Sequence, residues 1–314
     1  MFRWVIGVDL GGTQIRAIRT DLGGEKMARS QLPTEAASGG EAVVERIFTA
    51  IEEVLEEVEP KEVIGIGIGA PGPMDGDGRI YDPPNLTDWA DISLTERIHE
   101  RFDRPTFAGN DANLAALGEH RFGAGQDVDD LVYMTVSTGI GGGIISGGRL
   151  LLGARGYAAE IGHQTLIAEG PICGCGQPGH LEALASGPSI ARNAVQRLAE
   201  GASSTIADFG QEITGKSVTE AAKAGDELAQ ELIAQAGFYI GLGLVNLIHI
   251  LEPQRILIGG GVSQAGDLIF EPIRETVLQH VMSPIYREVE IQPAALGADV
   301  GLMGGVALVL THQK

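Results

Sequence analysis

The segment Trp4-Val-Ile-Gly-Val-Asp-Leu-Gly-Gly-Thr13 runs an apolar strand into a turn built on two adjacent glycines. A β-rich stretch follows through Ile18. The pattern returns at Leu131-Val-Tyr-Met-Thr-Val-Ser-Thr-Gly-Ile-Gly-Gly-Gly143, with Ile144-Ile145 after it. Strand, Gly-rich turn, strand thus opens each half of the chain. That weak internal repeat predicts two similar α/β domains facing one cleft. A chain of 314 residues is also longer than one hydrophobic core usually spans.

Working outward, residues 41–58 place Val43, Val44, Ile47, Ile51, Val54 and Leu55 at helical spacing, with acids on the other face. Residues 63–68 alternate glycine with Val and Ile, as in a buried strand that a neighbour approaches closely. Residues 70–91, rich in Pro, Gly and Asp, read as a long ordered loop. A short strand over 105–108 leads into Gly109-Asn110-Asp111 and a helix through about Phe122. Beyond the second glycine turn, 153–184 is an irregular insertion and 186–251 is mainly helical. A strand at 255–258 precedes Gly259-Gly260-Gly261 and another helix, and 297–310 forms a closing helix.

Composition narrows the functional classes. Hydrophobic residues make up 44% and charged residues 20%, an ordinary globular balance. The formal charge of −20 repels phosphate backbones and anionic lipid, which argues against nucleic-acid or membrane binding as the main task. It leaves room for a nucleotide held by backbone N–H groups and Mg²⁺. Cys173 and Cys175, one residue apart, make a poor structural disulfide. The N-terminus turns polar too soon for a signal peptide. The apolar run 237–251, interrupted by Asn246 and His249, falls short of a bilayer span of ~20 residues and reads as a buried helix. A soluble cytoplasmic protein is expected, with the Asn85-Leu86-Thr87 sequon unused.

Two glycine patterns mislead. Gly210-Gln-Glu-Ile-Thr-Gly215-Lys216-Ser217 satisfies the P-loop pattern, but no buried strand precedes it. Ser217 or Thr219 there reads as the N-cap of a following helix. Gly67-Ile-Gly69-Ala-Pro-Gly72 matches the dinucleotide fingerprint, yet Pro71, Pro73, Asp75, Gly76 and Gly78 open no helix after it.

Asp9 beside phosphates makes sense as a ligand of hydrated Mg²⁺, while Gly11 and Gly12 admit an anion and Thr13 adds a hydroxyl donor. A plain hairpin turn is the alternative. A second turn at Thr138, Gly139 and Gly141 would let two domains clamp a polyphosphate from both sides. Asp111 reads either as a helix N-cap or as a general base at a strand end. Asn110 beside it can both donate and accept hydrogen bonds. His163, Cys173, Cys175 and His180 offer two imidazoles and two thiolates, a set suited to structural Zn²⁺. Gly174, Gly176, Pro178 and Gly179 allow the tight knuckle that such spacing needs. Unpaired thiols and surface histidines are the plainer reading.

The sequence resembles the ROK family (repressors, open reading frames and kinases), and within it the bacterial glucokinases. The likeness runs from Gly7-Val-Asp-Leu-Gly-Gly-Thr13 to Leu296-Gly-Ala-Asp-Val-Gly301. Its most specific signals are Gly109-Asn-Asp-Ala-Asn113, Thr138-Gly-Ile-Gly-Gly-Gly143, Glu160-Ile-Gly-His163 and Cys173-Gly-Cys-Gly-Gln-Pro-Gly-His-Leu-Glu182. The resemblance implies a duplicated actin-like/ribonuclease-H-like fold with sugar and ATP in the interdomain cleft. The first domain would be 1–115 plus a closing helix at about 300–314, and the second 116–299 with an insertion at about 153–185. Asp111 is implied as catalytic base. Glu160, Glu182 and His163 are implied on sugar hydroxyls, with Gly72 and Asn85 as further sugar contacts. Gly260 and Gly261 would border the adenine or ribose. The family usually has Cys where this chain has His180.

The reading that follows is ATP-dependent phosphorylation of D-glucose, giving glucose 6-phosphate and ADP, by a homodimer or homotetramer. Another hexose or N-acetylhexosamine kinase (mannose, fructose, N-acetylglucosamine, N-acetylmannosamine) on the same scaffold is the nearest alternative. A sugar-responsive regulator is a further one, against which the first strand at about residue 4 leaves no room for a helix-turn-helix and the charge opposes DNA. A sugar-binding protein that has lost catalysis would not need both Asp9 and Asp111.

Overall fold

In a computed structural model that describes residues 3–56, 58–72, 74, 78–80, 89, 92–210 and 212–313, the chain forms two five-stranded mixed sheets. The first holds β1 (Trp4–Leu10), β2 (Gln14–Thr20), β3 (Lys26–Pro33), β4 (Val63–Ala70) and β5 (Thr106–Asn110), in the order β3-β2-β1-β4-β5. The second holds β6 (Leu131–Val136), β7 (Ile140–Ser146), β8 (Arg149–Leu150), β9 (Arg255–Gly259) and β10 (Glu290–Pro293), in the order β8-β7-β6-β9-β10. In both, the first three strands run antiparallel and the last two pair parallel to the opening strand's side. The internal repeat seen in the sequence is therefore a repeat of topology.

Helices α1 (Gly40–Leu55), α2 (Leu94–Phe102) and α3 (Asp111–Phe122) belong to the first half. The second carries α4 (Leu181–Ala185), α5 (Gly187–Ala199), α6 (Gly215–Lys223), α7 (Glu227–Leu251), α8 (Asp267–His280) and α9 (Val300–Thr311). One apolar core lies under α1 and α2, with Ile6, Val8, Ile47, Ile51, Ile66 and Ile98 buried. Another lies among α4 to α8 and the second sheet. Helix α7 is 25 residues long, more than the interrupted run at 237–251 suggested and long enough to cross a bilayer. Its Leu228, Ile233, Ile240, Leu244 and Ile248 are packed into the second core, which accounts for their apolar character.

Helix α3 packs on β6 and β7 of the second sheet and on α9, while α9 packs on β1 and β4 of the first. The two helices join the halves at contacts too close for side chains. A Cβ on Gly304 would stand 2.2 Å from the Leu114 carbonyl oxygen, and one on Gly67 would stand 2.0 Å from that of Gly305. That crossing explains the alternating glycines of β4, whose Gly67 belongs to a strand and not to a nucleotide turn.

Candidate active site

Asn110 ends β5 and Asp111 begins α3, so both sit at the C-terminal edge of the first sheet. Asn110 is the N-cap: its Oδ1 accepts the Ala112 and Asn113 N–H groups at 3.0 and 3.2 Å. Asp111 Oδ1 accepts from Ala112 at 2.7 Å, and the remainder of its carboxyl faces the cleft. Asp111 is exposed at the open cleft, yet protein atoms crowd its carboxyl on the remaining sides. That desolvation pushes it up to about 6; the Ala112 N–H pulls the other way, and the charges of Asp9 and Glu160 add to the rise.

The cavity measures about 700 Å³. It gathers Gly72, Asn110, Asp111, Thr138, Gly139, Gly141, Glu160, His163 and Glu182 from separate segments between positions 72 and 182. Asn110 Nδ2 donates to the Gly72 carbonyl at 3.4 Å. Asn85 lies outside the described residues. Tyr157 also lines the cavity, 42% exposed and with no sequence pattern to announce it.

A second cavity of about 750 Å³ shares Ser137 and Thr138 with the first. Gly261, Gly187, Thr214, Gly215, Lys216 and Lys223 line it as well. Gly260 stands beside Gly261 with φ +88°, its α-carbon packed where a Cβ would meet the Val136 carbonyl oxygen at 2.3 Å. The P-loop look-alike thus borders a cavity without P-loop geometry. A 3₁₀ turn (Ile206–Phe209), not a strand, precedes it. The N-cap of α6 is Thr214, with Ser217 at the third helical position of a capping box, so neither Ser217 nor Thr219 caps that helix.

The β6–β7 turn is also shorter than its glycines suggest. Only Ser137 to Gly139 turn the chain, closed by Ser137 N–H donating to the Gly139 carbonyl at 2.9 Å. Gly141 to Gly143 belong to β7. Gly141 and Gly143 are glycine because α3 lies against them, with a Cβ on Gly143 falling 2.6 Å from that of Ala116, while a Cβ on Gly142 would fall 2.2 Å from Ile161 Cδ1 on the other face. Glu182 Oε2 accepts the Ile140 N–H at 2.9 Å.

Across the cleft, Asp9 ends near the β1–β2 turn, nearly buried, and is ion-paired with Arg16. Arg16 also donates to the Ala298 carbonyl at 2.6 Å. Sequence reading passed over it, although its place opposite Asp9 in the β1–β2 register is a usable signal. Gly11, Gly12 and Thr13 form the turn itself, with Gly11 N–H donating to the Gln14 carbonyl; none of the three lines either cavity. Asp9, Asp111 and Glu160 put three carboxylates around one end of the cleft with Arg16 compensating one of them, an excess of negative charge that a divalent cation would fit.

The insertion brings His163, Cys173, Cys175 and His180 together, their ligating atoms all within 4.8 Å of one another. Cys173 Sγ stands 3.6 Å from His163 Nδ1, and Cys175 Sγ stands 3.2 Å from His180 Nδ1. Tetrahedral Zn²⁺, with bonds of ~2.3 Å to sulfur and ~2.0–2.1 Å to nitrogen, spans about such distances. His180 joins the cluster even where a cysteine is usual. Burial pushes the Cys173 thiol up to about 11, an environment in which a thiolate needs a cation beside it. The far edge of His163 reaches back to the cavity, its Nε2 3.9 Å from Glu160 Oε2.

The chain is similar to known proteins in sequence and fold. The sequence matches the ROK family model over residues 5–312. It is 38% identical to a glucokinase of Halalkalibacterium halodurans, covering 99% of this chain and 96% of that protein. A ROK family glucokinase from Streptomyces griseus, solved in complex with glucose and AMPPNP, is 35% identical and superposes with a TM-score of 0.81 over 97% of this chain and 98% of its own. A ROK family transcriptional regulator, a homologue of the E. coli MLC protein, is 28% identical with a TM-score of 0.88, covering 98% of this chain and 78% of that one. With the family model matched almost end to end and a full-length relative well above 30% identity, the chain belongs to the ROK family.

Proposed function

We propose that this protein is a cytoplasmic ATP-dependent glucokinase, transferring the γ-phosphoryl group of ATP to the 6-hydroxyl of D-glucose. The observation that carries the reading is the position of Asp111: its carboxyl, tuned to about 6, stands in a cavity that meets a second cavity at Ser137 and Thr138. A sugar in the first and a nucleotide in the second would meet head to tail at that wall. Asp111 accepts the proton of the 6-hydroxyl as its oxygen bonds to the γ-phosphorus, and the bond to the β-phosphate oxygen breaks to release ADP. Asn110, Glu160, His163, Glu182, Gly72 and Asn85 hold the remaining sugar hydroxyls. Thr138, Gly139 and Gly141 with Gly11, Gly12 and Thr13 cradle phosphates from the two halves, and Gly260 and Gly261 border adenine or ribose.

Asp9 would hold the hydrated Mg²⁺ of the nucleotide, which supplies charge neutralisation between the phosphates. His163, Cys173, Cys175 and His180 would hold a structural Zn²⁺, which fixes the ring of His163 against the cavity. Residues 1–115 with the closing helix at about 300–314 move as one body against 116–299, with the boundary inside α3. Self-association to a homodimer or homotetramer has a candidate surface in the exposed Ile250, Met282 and Ile285. The family's regulators make a sugar-responsive role the second reading, favoured by the 0.88 superposition. An ADP-release assay over hexoses and N-acetylhexosamines decides: glucose at the highest kcat/KM supports the proposal. ADP release with no sugar, or an N-acetylhexosamine preferred over glucose, overturns it.

A further inference from the structure

Glu182 is among the residues assigned above to the sugar, yet one of its carboxylate oxygens is engaged by the protein itself. Oε2 accepts the Ile140 N–H at 2.9 Å. Oε1 lies 3.4 Å from Cys173 Sγ, which as a zinc thiolate would carry no proton to donate, so Oε1 is left for a sugar hydroxyl. The contact with the turn is built in on both sides. At Gly139 a Cβ would fall 2.5 Å from Glu182 Oε2, so only glycine leaves the carboxylate room. The Glu182 carbonyl is itself anchored, accepting from Ser189 Oγ at 3.0 Å and from Ser186 N–H at 3.1 Å. Behind the turn, Gly187 N–H donates to the Ser137 carbonyl at 2.8 Å. A rigid helical corner therefore presents one charged acceptor to one backbone donor of the turn that separates the two cavities.

We infer that Glu182 is a positioning residue that sets the β6–β7 turn, and so couples the sugar cavity to the nucleotide cavity. The inference rests on the proposed kinase reading for the identity of the two ligands, while the strut itself does not. A charge-assisted bond to a backbone N–H is among the stronger ones a protein makes. With the Ile140 N–H held by Glu182, the turn presents Ser137 and Thr138 at the wall shared by the cavities and Gly139 on the side of the first cavity. A sugar hydroxyl that engages Oε1 polarises the same carboxylate, and its effect reaches the turn through Oε2. By linkage, the nucleotide then changes sugar affinity by the same factor as the sugar changes nucleotide affinity.

The test uses whole protein in two measurements. The first is amide hydrogen exchange of the peptide containing Ile140, without ligands, in wild type, Glu182→Ala, Glu182→Gln and Glu275→Ala. The second is calorimetric affinity for the magnesium complex of AMPPNP in sugar-free protein. Glu182→Ala should speed exchange of the turn and weaken AMPPNP by roughly fivefold or more, the lower end of ordinary coupling. Glu182→Gln keeps an acceptor for Ile140 and should restore most of both. Glu275→Ala removes an exposed carboxylate of α8 that lines neither cavity, and it should match wild type in both. Unchanged exchange in Glu182→Ala overturns the strut. Faster exchange with unchanged AMPPNP affinity overturns the coupling and points away from a nucleotide at this turn, whereas loss of glucose phosphorylation alone moves neither measurement.

Discussion

Asn110 caps the helix that Asp111 begins. With Asn110 Oδ1 taking the Ala112 and Asn113 donors, Asp111 is released from the capping role its residue type favours, and its carboxyl turns to the cleft. Desolvation between the two halves then raises it to about 6. The neighbouring cap and the raised carboxyl are two consequences of one backbone geometry.

The first expectation concerns pH. A base must be ionised to accept a proton, so kcat/KM for glucose should rise with pH through about 6 and level off above it. Because the folded value lies above the ordinary 3.8, the fold favours the protonated form. This group's contribution to stability is present at low pH and is lost as pH rises through about 6. Asp111→Asn should thus melt higher than wild type at pH 7.5, with the difference vanishing towards pH 4. Equal melting temperatures at pH 7.5 would contradict the desolvated carboxyl.

A metal expectation follows from the four converging ligands. Elemental analysis should find about one zinc per chain, as for a closed tetrahedral site. Replacing Cys173 and Cys175 with Ser should release it, lower the melting temperature and weaken glucose binding through His163 and Glu160. Zinc-free protein with full glucose affinity would remove the site from the account.

Closure is the third. Asn110 and Asp111 reach the cavity from one half, and Glu160 and Glu182 from the other. Glucose should draw them together and exclude the water that competes for the phosphoryl group. Small-angle scattering should show a smaller radius of gyration with glucose, and phosphate release from ATP without sugar should be very slow. An unchanged radius would count against closure.

Tyr157 supplies a fourth. A half-exposed aromatic ring lining a polar cavity offers a face for the C–H side of a pyranose. Tyr157→Ala should raise the KM for glucose about five- to tenfold with kcat little changed, while Tyr157→Phe stays near wild type. A KM unchanged in Tyr157→Ala, or a Phe variant as poor as Ala, argues against the ring as a platform.

The sequence was most legible where local pattern and tertiary role agree. Leu131–Val136 is apolar throughout and is the central strand of its sheet, and Asp111–Phe122 was bounded by its cap and by Gly123. Strand β3 was missed because its half-exposed Lys26–Pro33 lacks an apolar run, and four-residue β10 ends on Pro293. Gly141–Gly143 misled for a different reason: glycine signals a turn locally, but here Gly141 and Gly143 make room for Ala112 and Ala116 of α3 and Gly142 for Ile161, which no nearby residue records. The candidate site was readable through its Asn-Asp, Glu-x-x-His and Cys-x-Cys groupings. Tyr157 was not, since it depends on which segments the fold brings face to face.

The most direct test of the central claim compares wild type with Asp111→Asn for glucose-dependent ADP release and, separately, for glucose binding by calorimetry. The substitution keeps the size of the side chain and removes the base. Turnover should fall about a hundredfold or more, as general-base contributions do, with glucose affinity retained. Near wild-type turnover in Asp111→Asn would contradict the assignment of Asp111 as the base.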